Sequence, residues 1–314
     1  MADLASLGVS FIDVGGFGFQ KFLYRYAPVL IKPTTTPTNW TPLCHPRAAE
    51  LAKEVDIFFL ENWDFPNAKS KQTFLKAGFS RAICLFFPLA KNDRLHLACR
   101  LSTILFLIND RLEEMSFEQG KAYNAKLMPI ARGDVLPDRT VPVEFMLYDL
   151  WDAMRACDKG LADVVMESMF NFMRAQTDRV RKDIKDLKQY LEYRERDVGK
   201  GIASALMRFS MGLNLTPSEL AAMKPLEKNC SKQFSVLNNV YSWGKESTGL
   251  GVEASKRVLL VMTREWERVH DEMVGGLEAG GCSQAVRTYV RGLEYQMSGN
   301  EYWSQTTLRY SSAE

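Results

Sequence analysis

Apolar residues recur with helical spacing through almost the whole chain after Pro46, and this pattern limits the fold more than any other feature. Apolar and polar residues do not alternate over any length typical of a β-strand. The dipeptides Asn-Gly and Asp-Gly, which favour β-hairpin turns, do not occur. A segment at residues 101–108 is apolar nearly all round, which is typical of the middle of a helical bundle. We therefore predict an all-α fold. The spacing predicts helices over residues 47–62, 69–77, 82–87, 94–115, 143–157, 161–177, 187–194, 200–211, 217–223, 226–246, 252–278 and 283–297.

The first part of the chain lacks this pattern. Glycines cluster at residues 15–18, and prolines and threonines fill residues 33–38. Both compositions disfavour helix and indicate a loosely attached arm. We predict a loosely ordered leader over residues 1–42 and a single helical domain over residues 43–314. The leader contains several Phe and Tyr residues that could dock onto the domain or onto a partner.

Charge and cysteine content exclude several classes of protein. The 40 basic and 38 acidic residues are interspersed and give a net charge of +2, so no basic stripe indicates nucleic-acid binding. The six cysteines form no CxxC pair and there are three histidines, which argues against structural zinc and for reduced thiols. The longest apolar runs, residues 82–90 and 104–108, are too short to span a membrane. No signal-peptide pattern opens the chain, and we expect a cytoplasmic protein.

Residues 238–246 carry three oxygen-bearing side chains at helical spacing. Asn238, Ser242 and Glu246 stand at i, i+4 and i+8, which places them along one face of a helix. An amide oxygen, a hydroxyl and a carboxylate make a site of hard oxygen donors, which suits Mg²⁺ completed by substrate phosphates. The same spacing also occurs on an ordinary solvated helix face, so the spacing alone leaves both interpretations open.

A second polar group follows the apolar segment at residues 101–108. Asn109, Asp110 and Glu113 emerge together after three apolar turns. They are either an ordinary solvated helix end or a second set of metal ligands. Asn109 offers one neutral oxygen where a carboxylate would offer a charge, so this position would bind Mg²⁺ less strongly than Asp.

The two groups resemble the paired metal motifs of the class I terpene synthases, Asn-x-x-x-Ser-x-x-x-Glu and Asp-Asp-x-x-Glu. Residues 133–139, 148–151, 172–179, 190–200 and 292–301 also resemble the fungal aristolochene synthases, and the resemblance extends from about Cys44 to Tyr310. It implies a class I terpene synthase helical bundle. It also implies a sesquiterpene cyclase that takes farnesyl diphosphate, an isoprenoid diphosphate, and uses Mg²⁺.

The resemblance also implies roles for individual residues. Basic and phenolic groups would hold the diphosphate through charge-assisted hydrogen bonds; they are Arg194, Lys245, Arg309 and Tyr310. Aromatic side chains would shape the substrate and shelter carbocations by cation–π contact; they are Phe106, Phe172 and Trp303. Without the resemblance, these aromatic residues would be ordinary core residues. Phe86 stands where the family places a tyrosine, so the hydroxyl is missing there.

The chain departs from the family in two places. The first metal motif begins with Asn109 instead of Asp. Only nine residues, 247–255, separate Glu246 from Lys256, where the family places a loop and a further cavity-lining helix. A pocket that lacks this wall would admit water to its carbocations. We expect the leader, or else a homo-oligomer or protein partner, to cover the gap.

These departures leave two alternatives to a cyclase. The fold could be repurposed for non-ionising chemistry on another hydrophobic molecule, or the chain could be a catalytically silent protein that binds a terpenoid or a partner. The intact second motif and the basic residues around it favour the cyclase.

Overall fold

The computed structural model describes residues 38–177, 189, 199–242 and 252–310, without the side chains of residues 242 and 252–255. This part of the chain contains ten named helices and no strand, which confirms the all-α prediction. None of these helices is both long enough and apolar enough to cross a bilayer. The helices are α1 (Ala48–Asn62), α2 (Ala68–Ala77), α3 (Phe79–Phe86), α4 (Asn92–Glu113), α5 (Phe117–Arg132), α6 (Pro142–Gln176), α7 (Lys200–Met211), α8 (Pro217–Ser242), α9 (Val252–Ala279) and α10 (Gln284–Thr306).

Helix α4 runs through the middle of the bundle and packs against α1, α3, α6 and α7. Leu101, Ile104 and Ile108 are all buried, as the apolar segment predicts. The core continues into α6 through Trp151 and into α7 through Phe209. The polar residues that follow Ile108 therefore begin where the core ends, and α4 carries them from the bundle interior to its edge.

Helix α5 is absent from the sequence prediction. It begins with a capping box, in which Ser116 Oγ accepts from the Gln119 N–H and Gln119 Oε1 accepts from the Ser116 N–H. Gly120 and Pro129, two residues that disfavour helix, lie inside it and interrupt the helical spacing of its apolar residues. A Cβ at Gly120 would stand 3.2 Å from a methyl group of Leu112, so glycine permits close packing against α4. The Ser-x-x-Gln signature would have revealed this helix.

Two predicted helix boundaries are wrong. Helix α8 continues through Pro225, because Met223 and Leu226 on either side of the proline are buried in the core. Helix α10 continues to Thr306, past the predicted end at residue 297. The prediction ended too early because the residues that follow are mostly polar, although several of them are buried. Gly299 lies in this run against the α3 backbone, since a Cβ there would meet the carbonyl oxygen of Leu85 at 2.4 Å.

The described end of the predicted leader lies against α9 and α10. The Trp40 ring packs edge-on against His270 at 5.3 Å, and its Nε1–H donates to Asp271 at 3.2 Å. Residues 39–43 also line a surface cleft of about 320 Å³ beside Arg291 and Glu294 of α10. Residues 1–37 and most of the shortened segment at 247–255 lie outside the described residues. The expectation that the leader covers the gap stays a prediction, as does the helix at 187–194.

Helix α6 bends at Asp158, close to the predicted boundary between two helices. Asp158 has non-helical backbone angles (φ −161°, ψ 91°). One carboxylate oxygen accepts from the Leu161 N–H at 3.1 Å and the other from Arg94 at 3.0 Å. Burial raises the pKa of this carboxyl, but the two donors lower it further, so the net pKa lies below the ordinary value. The charged carboxylate thus holds α6 to α4.

Asp158→Asn should lower the free energy of unfolding by about 1 kcal/mol at pH 7, because the amide keeps the cap and loses the charge. A carboxyl whose pKa is depressed in the folded state contributes stability above its unfolded pKa, about 3.9. That contribution is lost as the pH falls through the folded pKa, so wild type and variant should converge in acid. Urea denaturation at pH 7 and at low pH measures both effects. Asp163→Asn, on an exposed pair with Lys159, is the control; equal losses in the two variants would contradict the role of Asp158.

Candidate active site

The segment after α10 joins the C-terminal part of the chain to the end of α4. The start of this segment is held against the end of α2. Trp303 Nε1–H and Thr307 Oγ1–H both donate to the Ala77 carbonyl oxygen, at 3.2 and 2.9 Å. Arg309 then forms a bidentate pair with Asp110, one of whose hydrogen bonds measures 3.1 Å. The structure therefore brings together a residue of the predicted first metal motif and a predicted diphosphate ligand 199 residues away.

The Arg309 guanidinium also lies over two aromatic rings. Phe79 and Phe106 stack at 4.4 Å, and the guanidinium carbon stands 5.1 and 5.7 Å from their centroids. Trp303 lies 6.0 Å from Phe106. Burial lowers the pKa of Arg309, but the hydrogen bonds and charge of Asp110 raise it more, so the net pKa is raised and the group remains a cation. Sequence reasoning selected Phe106 and Trp303 and missed Phe79.

Tyr310 connects this site with the second predicted motif. Asn238 Nδ2 donates to the Tyr310 hydroxyl at 3.1 Å, and the Tyr310 ring packs edge-on against Trp303 at 5.6 Å. The ends of α4 and α8 and the C-terminal segment thus meet at one place. Four residues that the sequence assigned to metal or diphosphate binding lie there; they are Asp110, Asn238, Arg309 and Tyr310.

The other two residues of the first motif form a hydrogen-bonded chain. Asn109 Nδ2 donates to Glu113 Oε1 at 3.1 Å, and Gln176 Nε2 donates to Asn109 Oδ1 at 2.9 Å. Gln176 is the last residue of α6 and was not selected from the sequence. No local pattern marks it, because its partner stands 67 residues away.

The two remaining aromatic candidates make contacts with other side chains. Phe86 is buried in α3 and packs edge-on at 5.7 Å against Phe234, one turn before Asn238 on α8. Phe172 lies on α6 beside Gly199 and lines a cavity of about 250 Å³.

This cavity contains a buried cation that sequence reasoning missed. Lys200 is 2% exposed and donates to Ser204 Oγ, and Glu227 of α8 lies on the same cavity wall. A lysine at the first turn of a predicted helix usually indicates a solvated charge, so only the packing of α7 reveals that this one is buried.

Four of the predicted groups are not placed. Arg194, Lys245 and Glu246 lie outside the described residues, and Ser242 is the last residue of α8, with no described side chain. Their roles stay predictions.

The donors at this site suit Mg²⁺ in kind, since they are amide and carboxylate oxygens. Their present partners limit what the first motif can offer: both oxygens of Asp110 pair with Arg309, and the Asn109 oxygen accepts from Gln176. Within residues 38–177, 199–241 and 256–310, no three His, Cys, Asp or Glu side chains come close enough to hold a metal ion.

Comparison with known proteins gives a consistent result. A family model described as "Terpene synthase family 2, C-terminal metal binding" matches residues 100–267. Aristolochene synthase of Penicillium roqueforti is 58% identical over 303 residues, which cover 88% of this chain and 89% of that protein. The enzyme of the same name from Aspergillus terreus is 54% identical and covers 88% and 93%. The crystal structure of the P. roqueforti aristolochene synthase superposes with a TM-score of 0.81 at 59% identity, covering 87% of this chain and 99% of that one.

Asp110→Asn should loosen the C-terminal segment, because a buried guanidinium would lose its charged partner, at a cost of about 1.5–3 kcal/mol. We expect amide hydrogen exchange in residues 307–310 to become about tenfold faster or more. Hydrogen-exchange mass spectrometry would measure this. Glu114→Gln removes an exposed carboxylate at the same helix end and should leave the exchange unchanged; equal effects of the two substitutions would show that the ion pair does not hold the segment.

Proposed function

The chain belongs to the terpene synthase family, in the group of the fungal aristolochene synthases, and we propose that it is a class I sesquiterpene cyclase that acts on farnesyl diphosphate with Mg²⁺. One observation carries the proposal: Asp110, Asn238, Arg309 and Tyr310 meet beside the aromatic group of Phe106 and Trp303. Polyanion-binding groups and an apolar wall in one place suit a substrate with a charged head and a hydrocarbon tail.

The diphosphate would be held by Arg309 and Tyr310, together with Arg194 and Lys245. Guanidinium, ammonium and phenol groups donate charge-assisted hydrogen bonds to phosphate oxygens, and a guanidinium can donate two at once. Arg309 is suited to this because it is a permanent cation held in one orientation by Phe79 and Phe106. These groups would stabilise the negative charge that develops on the leaving diphosphate.

Mg²⁺ would be held by Asn238, Ser242 and Glu246 and, less strongly, by Asp110, Asn109 and Glu113. When bound, it supplies Lewis-acid stabilisation of the departing diphosphate. Tyr310 would position Asn238 for this, because its hydroxyl accepts from the Asn238 amide at 3.1 Å.

The hydrocarbon chain would be folded by aromatic side chains. Trp303 and Phe106 would form the wall next to the diphosphate groups, with Phe86 of α3, which packs against Phe234 of α8, and Phe172 of α6 as further aromatic side chains. The faces of such rings stabilise a carbocation without reacting with it. Phe86 carries no hydroxyl, so this side chain neither delivers nor removes a proton.

Incubation of the full chain with farnesyl diphosphate and Mg²⁺ tests the proposed function directly. We expect released diphosphate and a cyclic sesquiterpene in equal amounts, measured by a phosphate assay and by gas chromatography. Chelation of the metal should abolish both. Binding without release of diphosphate would instead support non-ionising chemistry or a silent binding protein, and would sink the proposal.

Glu246→Gln tests the second motif. The substitution removes the only carboxylate of the triad and should weaken Mg²⁺-dependent binding of diphosphate by more than about tenfold, or ~1.4 kcal/mol. The melting temperature of the free protein should hardly change. Calorimetric titration of both proteins gives the affinities. Equal affinities would identify residues 238–246 as an ordinary solvated helix face.

A further inference from the structure

The amide chain at the end of α4 uses side chains from two helices. Gln176, at the end of α6, donates to Asn109, and Asn109 donates to Glu113 one turn further along α4. Gln176 Oε1 is itself buried, and no hydrogen-bond partner for it is found in the part of the chain that the structure describes. An unsatisfied buried carbonyl is costly, so Gln176 holds its NH₂ group towards Asn109 at the expense of its own oxygen.

The chemistry of the partners fixes the direction of this chain. An ionised Glu113 can only accept, so Asn109 must turn its NH₂ group towards it and its oxygen towards α6. The oxygen of Asn109 then requires a donor, and Gln176 supplies one. Flipping either amide would place two oxygens against each other. Side chains alone therefore satisfy both the NH₂ group and the oxygen of Asn109.

The charges at the end of α4 indicate that the hydrogen bonds of Asn109 stand in place of a bound cation. Asp110 pairs with Arg309, whose charge also acts on Glu113, the other carboxylate of the motif. A carboxylate at position 109 would stand at i, i+4 from Glu113, and such a like-charged pair destabilises a helix unless a cation lies between them. With Asn at 109, a hydrogen bond takes the place that a cation would fill.

We propose that Gln176 and Asn109 form a metal-independent brace at the end of α4, so that this chain binds its diphosphate ligand with one divalent ion fewer than it would with Asp at 109. Gln176 is a positioning residue in this account, because it acts through Asn109. This inference takes one assumption from the proposed function, namely that the ligand is a diphosphate.

The number of bound ions decides the proposal. The full chain and the Asn109→Asp variant are titrated with Mn²⁺ at saturating inorganic pyrophosphate, and free Mn²⁺ is followed by electron paramagnetic resonance. We expect the variant to bind one more ion per chain. Asn62→Asp, which adds a carboxylate at the end of α1, should bind the same number as wild type. Equal numbers for wild type and Asn109→Asp would overturn the proposal.

Gln176→Glu tests the brace without changing position 109. The introduced carboxylate keeps the shape of glutamine but presents oxygen to the Asn109 oxygen. In metal-free buffer the melting temperature should fall by about 1–2 °C at pH 8. Gln176→Leu removes the hydrogen bond without adding a charge, so its loss should be smaller. Equal losses in the two variants would show a merely structural contact and overturn the brace.

The two failures are distinguishable. If neither the wild-type chain nor its variants bind pyrophosphate, the proposed function fails. The brace is then decided by metal-free melting temperatures: Asn109→Asp must lie about 1–2 °C below wild type, because the substitution sets two carboxylates one turn apart. Equal temperatures would overturn it.

Discussion

The bidentate pair between Arg309 and Asp110 is the contact on which the candidate site depends. It joins residues 199 positions apart, so no local interaction can assemble the two halves of the site. A guanidinium that is 11% exposed needs a charged partner to offset its desolvation. Asp110 supplies the charge, and Phe79 and Phe106 supply faces on which the planar group stacks. The aromatic contacts and the ion pair therefore favour the same orientation of the Arg309 guanidinium.

The placement of this pair follows from the composition of α4. The helix is apolar up to Ile108 because it crosses the core, and its polar groups come together only where it leaves the core. The end of α8 and the segment after α10 reach the same edge of the bundle, so the polar groups of all three meet there. Phe106 and Trp303 stand at this boundary and serve both as core residues and as the wall next to the charged groups.

The sequence predicts a pattern that one helix carries by itself, and it does not predict which helices meet; the roles of the site residues stay predictions. The apolar run of α4 and the spacing of Asn109, Asp110 and Glu113 are local, as is the spacing of Asn238 and Ser242 on α8. Arg309 and Tyr310 were selected only through the family resemblance, since nothing near them in the chain indicates a site. Gln176, Phe79 and Lys200 were missed because their roles come from partners on other helices. Helix α5 was missed for a different reason: Gly120 and Pro129 interrupt its pattern, and its cap and its packing against α6 outweigh their low propensity.

The pairing of Arg309 with Asp110 also links the two kinds of ligand in the proposed function. A diphosphate that takes the guanidinium must compete with Asp110 for the same donors. If Arg309 turned to the diphosphate, Asp110 would be a partly buried carboxylate in need of another positive partner, which a divalent ion bound to the diphosphate would provide. In the proposed function, each ligand would therefore lower the cost of binding the other through a single side chain. With the neutral Asn109 beside it, Asp110 would carry this coupling without a second carboxylate at position 109.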